Sequence, residues 1–381
     1  MDPCPIIAWL LAPSTGTLAH DAFMDELCGR LVAAGLPLGR VSISLRTRHP
    51  EIYVLNGQWR PEQGSTLTWF PRTQLSEERF VASPIRQVRE TGRPIRVDLT
   101  HDELPYPVCD DLKAEGMTDY LIQPMLSSHG GHSFASWSTD RPGGFLPEHI
   151  DALEAIAPTL ALRMDANSAH LATQQLLRVY LGRNAAERVI GGAFERGSGE
   201  RIEAAIWFCD LRGFTALSDH ADVEQVIDVL DRYFSVVAEP IRANGGEILK
   251  FIGDAVLAVF PTCEEPGDAC VCALRAAKEA LAHAHVLGPD LSFGVALHLG
   301  EVFYGNIGAS SRLDFTVIGP AVNEASRVEG MCKVLGRDLL LTQAFANHVD
   351  RLELESLGTH RLRGVGREQE LFGLKLGRSS G

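Results

Sequence analysis

Hydrophobic and polar positions divide this chain into three stretches with different periodicities. In the first stretch, residues 41–45 alternate between apolar and polar side chains, which is the period of a half-buried strand. Strand-like runs are predicted at residues 41–45, 52–55, 65–69, 120–126 and 133–138. Amphipathic helices are predicted at residues 21–34 and 81–91, the second ending before Gly92. This order of helices and strands predicts an α+β domain over residues 1–146.

The second stretch, residues 147–196, has apolar residues at helical spacing. Ile150, Leu153, Ile156 and Leu160 recur every three or four positions. A long helix with one apolar side between two domains is typical of a parallel dimer seam. The alternative is a helix packed on its own domain. Pro158 predicts a kink or break within it.

The third stretch, residues 197–381, repeats neither pattern and predicts a separate domain. An apolar strand at residues 204–210 ends in Asp210, and a helix follows over residues 222–243. Two further apolar runs flank Gly253 and Asp254, which predicts a β-hairpin with that pair at its tip.

Composition narrows the possible function. The chain has 381 residues, 45% of them hydrophobic, and a formal net charge of -14, so its surface repels phosphate backbones and nucleic acid is not an expected partner. Eight scattered cysteines without a CxxC pair favour free thiols in a reducing compartment. No apolar run approaches the roughly 20 residues of a membrane-spanning helix, so we expect no membrane span and a cytoplasmic location.

Two aspartates carry the first chemical signal. Asp210 and Asp254 both follow strands, and they project from one end of the sheet if those strands are neighbours. Paired carboxylates suit hard, oxygen-preferring cations and a polyphosphate. Alone the signal is weak, because aspartate in a tight turn is more often a turn residue.

Three sequence blocks resemble the signatures of the class III nucleotidyl cyclases, in the order of that family. They are Phe208-Cys-Asp-Leu-Arg-Gly-Phe-Thr215, Gly246-Glu-Ile-Leu-Lys-Phe-Ile-Gly-Asp-Ala255 and Thr316-Val-Ile-Gly-Pro-Ala-Val-Asn-Glu-Ala-Ser-Arg327. The resemblance covers about residues 201–374 and implies a ferredoxin-like (βαββαβ) catalytic domain. It also implies that ATP is cyclised to cyclic AMP with release of pyrophosphate.

The resemblance implies a role for each matched position. Two Mg²⁺ ions per site, or Mn²⁺, would be held by Asp210, Asp254 and Leu211, and Asn323 and Arg327 would be catalytic. The implied substrate contacts are Gly213 and Phe214 with phosphate, Lys250 and Thr316 with adenine, and Arg363 with the terminal phosphates.

Lys250 argues for ATP over GTP. Adenine N1 is a hydrogen-bond acceptor and requires a donor, whereas guanine at that position favours an acid. Guanylyl cyclase and a nucleotide-binding module without turnover stay open as alternatives. Each residue also has a structural explanation: Lys250 and Asp254 as an ion pair across the hairpin, and Asn323 and Arg327 as an exposed helix face.

In the resembling family the site lies between two catalytic domains. This chain has one full set of residues, so a symmetric homodimer would carry two sites at its interface. Pro320 departs from the aspartate common in the family, and proline is tolerated in a helix's first turn.

The first stretch resembles a GAF-type sensory domain in its order of elements, without a diagnostic motif. The predicted organisation is a GAF-like regulatory domain over residues 1–146, a helical transducer over residues 147–196 and the catalytic domain over residues 197–381. An unidentified small molecule or other signal would act on the first of these.

Overall fold

The computed structural model describes residues 2–46, 52–71, 82–126, 132–262, 265–288 and 291–375. The chain divides into two compact units, Met1–Leu176 and Leu177–Gly381. Both combine helices with a largely antiparallel sheet, so the predicted α+β class is confirmed.

The first unit is built on an antiparallel sheet with strand order β3-β2-β1-β6-β5-β4. Its strands are β1 (Arg40–Arg46), β2 (Ile52–Arg60), β3 (Gly64–Pro71), β4 (Ile95–Asp98), β5 (Asp119–Leu126) and β6 (His132–Thr139). Its helices are α1 (Cys4–Leu11), α2 (His20–Ala33), α3 (Pro84–Thr91), α4 (Pro107–Ala114) and α5 (Pro147–Leu181). The strands predicted at residues 120–126 and 133–138 are confirmed as β5 and β6, which pair antiparallel. Strand β4 and helix α4 were not predicted, because each is too short for a clear period.

The two faces of this sheet carry different side chains. Val41, Ile43 and Leu45 are buried in one apolar core together with residues of α1, α2 and α5. Arg40, Ser42 and Ser44 alternate with them and therefore lie on the other face, toward α3 and α4.

Helix α5 is continuous from Pro147 to Leu181, so of the predicted kink or break at Pro158 the break is wrong, and the kink stays a prediction. Proline removes one backbone donor, and the flanking Ile156 and Leu160 are fully buried in the first unit's core. Burial of each such side chain contributes about 1.5–3 kcal/mol, which offsets the lost hydrogen bond. The first half of α5 therefore packs on its own domain, the alternative to a dimer seam. Leu162, on its other side, is exposed.

The second unit contains a larger sheet with strand order β13-β14-β12-β10-β7-β9-β8, and β11 pairs with β10. Its strands are β7 (Gly199–Leu211), β8 (Glu247–Ile252), β9 (Ala255–Pro261), β10 (Phe293–Ala309), β11 (Arg312–Ile318), β12 (Leu339–Thr342), β13 (Leu354–Arg361) and β14 (Glu368–Leu374). Its helices are α6 (Arg183–Ile190), α7 (Phe214–His220), α8 (Val223–Ala243), α9 (Pro266–Leu287), α10 (Pro320–Leu335) and α11 (Gln343–Ala346).

The centre of this sheet has the predicted βαββαβ order, in the sequence β7, α8, β8, β9, α9 and β10. The main core lies between the sheet and helices α8 and α9, and it contains Trp207, Tyr233, Phe260 and Phe293. Central strand β7 is paired on both sides, with β9 and β10, which fixes the position of its last residues.

Two expectations from composition concern cysteines and membranes. The seven cysteines in the described part of the chain are free, and Cys270 and Cys272 lie on helix α9. Within the described residues, no helix combines the length and apolar character required to cross a membrane.

Candidate active site

Asp210 and Asp254 meet at one end of the central strands. Strands β7 and β9 pair antiparallel up to Cys209 and Val256, so the residues just beyond that pair lie side by side. Asp254 follows Gly253, whose φ of +65° makes the hairpin turn. The Asp254 side chain lies close enough to Asp210 to raise the pKa of its carboxyl. The strand order thus brings these acids together, as the sequence predicted.

The Asp210 carboxyl is electrostatically unfavourable in its charged form. Burial and the neighbouring Asp254 together raise its pKa to about 7, against a hydrogen bond from the Leu211 backbone N–H, which lowers it. Two carboxylates in one small space cannot both ionise at low cost, and a bound cation removes that conflict.

Glu329 was not predicted from the sequence. It lies on α10, and burial followed by the charge of Asp210 raises the pKa of its carboxyl to about 7. A Cβ at Gly294, which is paired with Asp210, would lie 2.7 Å from Glu329 Oε1. Glycine at this position therefore admits Glu329 beside the acid pair. The only signal in the sequence was its spacing of two residues after Arg327.

Lys250 is paired with an acid that sequence reasoning also missed. Its Nζ lies 3.1 Å from Asp314 Oδ2. Lys250 therefore forms an ion pair, but with Asp314 and not with Asp254, the partner named in the alternative. Thr316, two positions along β11, has a buried Oγ1 without a hydrogen-bond partner among the described residues. The predicted adenine-contacting residues Lys250 and Thr316 thus belong to one local group, joined by Asp314.

Asn323 and Arg327 lie one turn apart on α10 and are exposed. Neither has a hydrogen bond or ion pair with another residue in the described part of the chain, so both side chains are available to a ligand. Pro320 is at the start of this helix, where it leaves the hydrogen bonding intact, as predicted. Arg363 is exposed in the turn between β13 and β14.

The loop after Asp210 turns sharply into a short helix. Gly213 has a φ of +76° and precedes α7, and no atom lies within 4 Å of a Cβ built on it. Phe214 packs partly on the main core.

An open groove of about 760 Å³ lies beside this loop. It is lined by Leu211, Arg212, Leu217, Glu224, Gln225, Asp228 and Val229. The Arg212 guanidinium donates to the Arg337 carbonyl oxygen and pairs with Asp338, so it braces the loop.

The carboxylates of the site suit a metal ion that takes its remaining ligands from water and from the substrate. Among the described residues, no group of three or more His, Cys, Asp or Glu side chains is arranged to hold a metal ion by itself. Mg²⁺ commonly uses one or two carboxylates, with waters and substrate phosphates completing its shell. Asp210 and Asp254 fit that requirement, and Glu329 adds negative charge without joining the pair.

Comparison with known proteins places the second unit in a family. Residues 199–373 match the adenylate and guanylate cyclase catalytic domain. An adenylate cyclase of Anabaena cylindrica is 34% identical over 175 residues, which are 43% of this chain and 34% of that protein. Adenylate cyclase 1 of Rhizobium meliloti is 33% identical over 182 residues, which are 45% of this chain and 27% of that protein. The chain spans about a third or less of the length of these curated relatives.

A solved structure of a bacterial light-regulated adenylyl cyclase covers 88% of this chain and 93% of its own, with a TM-score of 0.50 and 19% identity. That likeness concerns the fold alone. The sequence matches are the stronger finding, and they coincide with the unit that carries the acid pair. Residues 199–373 are therefore a class III nucleotidyl cyclase catalytic domain.

Proposed function

We propose that this protein is an adenylyl cyclase that converts ATP into 3′,5′-cyclic AMP and pyrophosphate. The observation that carries the proposal is the meeting of Asp210 and Asp254 at the end of β7 and β9, inside a domain of the cyclase family. A degenerate binding module would be expected to lose one of these acids, Asn323 or Arg327, and all four are present.

We propose two Mg²⁺ ions per site, with Mn²⁺ as a substitute, held by Asp210 and Asp254 with Leu211 alongside. When bound, such ions lower the pKa of the ribose 3′-hydroxyl and neutralise charge on the triphosphate. The two carboxylates supply the hard oxygen ligands, and the bracing of the loop by Arg212 keeps Asp210 in position.

The exposed polar residues divide the remaining work. Backbone N–H groups near Gly213 and Phe214 contact phosphate oxygens, which the open space around Gly213 permits. Asn323 orients the ribose. Arg327 places a permanent charge against the α-phosphate as negative charge accumulates there during attack. Arg363 binds the terminal phosphates.

Base selection rests on Lys250 and Thr316. Lys250 donates to adenine N1, and the buried, unpartnered Thr316 hydroxyl accepts from the exocyclic amine. Guanine presents an N–H group where adenine presents N1, so it leaves the Lys250 ammonium facing a donor. Adenylyl rather than guanylyl cyclase activity follows from this mismatch.

We propose a homodimer with two sites at its interface. Val223, Ile227, Phe251, Ile252 and Ile318 in the second unit are at least half exposed, an apolar set that a partner would cover. Within one chain, the described contacts do not join Arg327 to Asp210. A shared site would unite them across the interface.

Mixing inactive variants tests the shared site. Asp210→Ala and Arg327→Ala are each expected to be inactive, and an equimolar mixture should regain about a quarter of the wild-type rate, because half of randomly formed dimers carry one intact site. A mixture as inactive as its parents contradicts the interface site.

For the first unit we propose a GAF-type regulatory domain over residues 1–146, acting through the helical segment 147–196 in response to a small-molecule signal. The support is a six-stranded antiparallel sheet with helices on both faces. The cytoplasmic location inferred from the cysteine pattern stays a prediction.

The test of the activity is direct. The purified whole chain is incubated with ATP or GTP and with Mg²⁺ or Mn²⁺, and the cyclic nucleotide formed is quantified. The Asp254→Ala variant is the inactive control. Cyclic AMP from ATP that disappears in Asp254→Ala supports the proposal. Cyclic GMP as the main product, or nucleotide binding without either product under all four conditions, contradicts it.

A further inference from the structure

The side of α10 that faces the sheet carries a buried acid. Glu324 directly follows the exposed Asn323, but its side chain is only 9% exposed, because successive residues of a helix point about 100° apart. Val328, one turn further along, is fully buried on the same side. Burial of an ionised carboxylate destabilises a fold unless the charge is paired. Packing alone therefore does not explain an acid at this position.

Two residues lie near the Glu324 carboxylate. His298 Nδ1 is 3.8 Å from Oε1, but this nitrogen is hydrogen-bonded to Thr342 Oγ1, and burial lowers the pKa of His298 to about 4. The imidazole is therefore neutral and does not balance the charge of the acid. Arg367 Nη2 is 3.7 Å from the same oxygen, and arginine stays charged in proteins. Arg367 thus supplies the positive charge that Glu324 requires.

The contact between Glu324 and Arg367 is an ion pair without a hydrogen bond. Glu324 Oε1 has no hydrogen-bond partner among the described residues, and the Arg367 side chain is 71% exposed. The attraction depends on charge, and it is stronger than at an open surface because the acid lies in an interior of low dielectric constant. A mobile surface arginine is thereby drawn to one fixed point beneath it.

Arg367 is the last residue of the turn that joins β13 to β14, at residues 362–367. At the other end of this turn, Leu362 is buried in one apolar cluster with Val328 of α10. Glu324 and Val328 are one helical turn apart, so the same side of α10 holds both ends of the turn. One attachment is apolar and the other is electrostatic.

Arg363 lies between these two attachments. The backbone beside it is permissive, because Gly364 has a φ of +79° and Gly366 has no atom within 4 Å of a Cβ built on it. The Arg363 side chain itself is exposed. The position of its guanidinium therefore depends on how firmly the two ends of the turn are held.

We propose that Glu324 is a positioning residue for recognition of the terminal phosphates. By pairing with Arg367, it holds the turn of residues 362–367 on α10. Arg363 is thereby kept in place relative to Asn323 and Arg327 of that helix, and the three side chains meet one triphosphate together. The inference rests on the proposed function, in which Arg363 binds the terminal phosphates.

Equilibrium binding of 3′-deoxy-ATP tests the proposal, because this nucleotide lacks the attacking hydroxyl and is not cyclised. Its affinity for the whole chain is measured by calorimetry with Mg²⁺. We expect Arg363→Gln to weaken binding about tenfold, as the loss of a hydrogen bond between charged groups does. Glu324→Gln and Arg367→Gln should each weaken it roughly threefold to fivefold, the contribution of an ion pair with one exposed partner.

A double-mutant cycle separates positioning from a structural role. If Glu324 acts through Arg363, Glu324→Gln should have no further effect in the Arg363→Gln background. Arg367→Lys keeps the charge and should bind within about twofold of the wild type. The matched control is Arg275→Gln, exposed on α9 at the opposite face of the sheet, which should also bind like the wild type.

Arg367→Gln changes an exposed side chain, so the test stands even if Glu324→Gln does not fold. The inference is overturned if Arg367→Gln or Arg363→Gln binds 3′-deoxy-ATP as tightly as the wild type. It is also overturned if Glu324→Gln weakens binding equally with and without Arg363. A wild type that binds no 3′-deoxy-ATP contradicts this inference and the proposed function together. The expected losses of binding without any formation of cyclic AMP contradict the proposed function alone.

Discussion

The two units bury polar side chains under opposite conditions. In the first, Ser42 and Ser138 border a cavity. In the second, the buried His298 and Glu247 are enclosed by protein partners, and the acid pair stands at the end of the sheet. Buried polar groups need partners. The comparison therefore teaches which ones maintain the fold and which ones are available to a ligand.

Arg327 is one of the polar side chains that are available to a ligand, and its substitution has the largest expected effect. Arg327→Ala should lower kcat roughly 10²–10³-fold, as the loss of one charge-stabilising donor does. The free energy of unfolding should not change, because this side chain has no partner in the described part of the chain. Steady-state kinetics and urea denaturation measure the two quantities. Lys333→Ala, exposed on the same helix, is the control, and an equal loss of rate there would remove the distinction.

Glu247 is one of the buried polar side chains that are enclosed by protein partners. Its carboxylate accepts from Tyr304 Oη at 2.6 Å, from the Ala185 backbone N–H at 3.1 Å and from Asn184 Nδ2 at 3.2 Å. Glu247→Ala leaves two buried donors, Tyr304 Oη and the Ala185 N–H, without their acceptor and should lower the free energy of unfolding by about 2–4 kcal/mol. Urea denaturation checks the value. Exposed Glu239→Ala should change it by less than about 0.5 kcal/mol.

His298 extends the same test to pH. Burial lowers its pKa to about 4, and its Nδ1 is hydrogen-bonded to Thr342 Oγ1 at 2.8 Å. The unfolded imidazole binds a proton below about pH 6.5, whereas the folded one stays neutral. The contribution of His298 to the free energy of unfolding is therefore fully present above pH 6.5 and is lost as the pH is lowered toward 4. We expect a loss of about 2 kcal/mol between pH 7 and pH 5.

The comparison with His298→Gln isolates this contribution. The nearby Glu324 and Arg367 are present in both proteins, so their contributions cancel in the difference between the two stability curves. Parallel curves for the wild type and the variant would show that His298 is not the group responsible.

The smallest effect is expected at the half-exposed pair of Lys250 and Asp314. Such pairs contribute up to about 1 kcal/mol, so Asp314→Asn should raise the KM for ATP roughly twofold to fivefold. The value of kcat should change little, and the preference for ATP over GTP should decrease because Lys250 is held less firmly. Asp231→Asn, on the exposed side of α8, is the matched control. A fall in kcat with an unchanged KM would contradict a positioning role.

Sequence reasoning predicted the parts of the fold that depend on local pattern. Alternation located β1, the two apolar runs around Gly253 and Asp254 located the hairpin of β8 and β9, and the motifs singled out Asp210 and Asp254. The pairing of β7 with β9 was the condition for both acids to lie at one end of the sheet, and the structure meets it. Local pattern failed at Pro158, where burial of neighbouring side chains decided the outcome.

The residues that were missed depend on contacts between distant segments. Asp314 acquires its role only because β11 passes close to β8, 64 residues away in sequence. Glu329 acquires its position because α10 packs over Gly294 on β10. Neither contact leaves a periodic signal, so both required the three-dimensional structure.

Glu247 also anchors the first turn of α6, the helix that follows α5. Gly182, with a φ of +84°, is the single residue between α5 and α6, and the Glu247 carboxylate binds the first turn of α6 directly after it. Deleting or inserting one residue in α5 would rotate all preceding residues by about 100° while leaving that anchor intact. The rotational phase of the residues of α5 that precede Gly182 is therefore set by the number of residues in that helix.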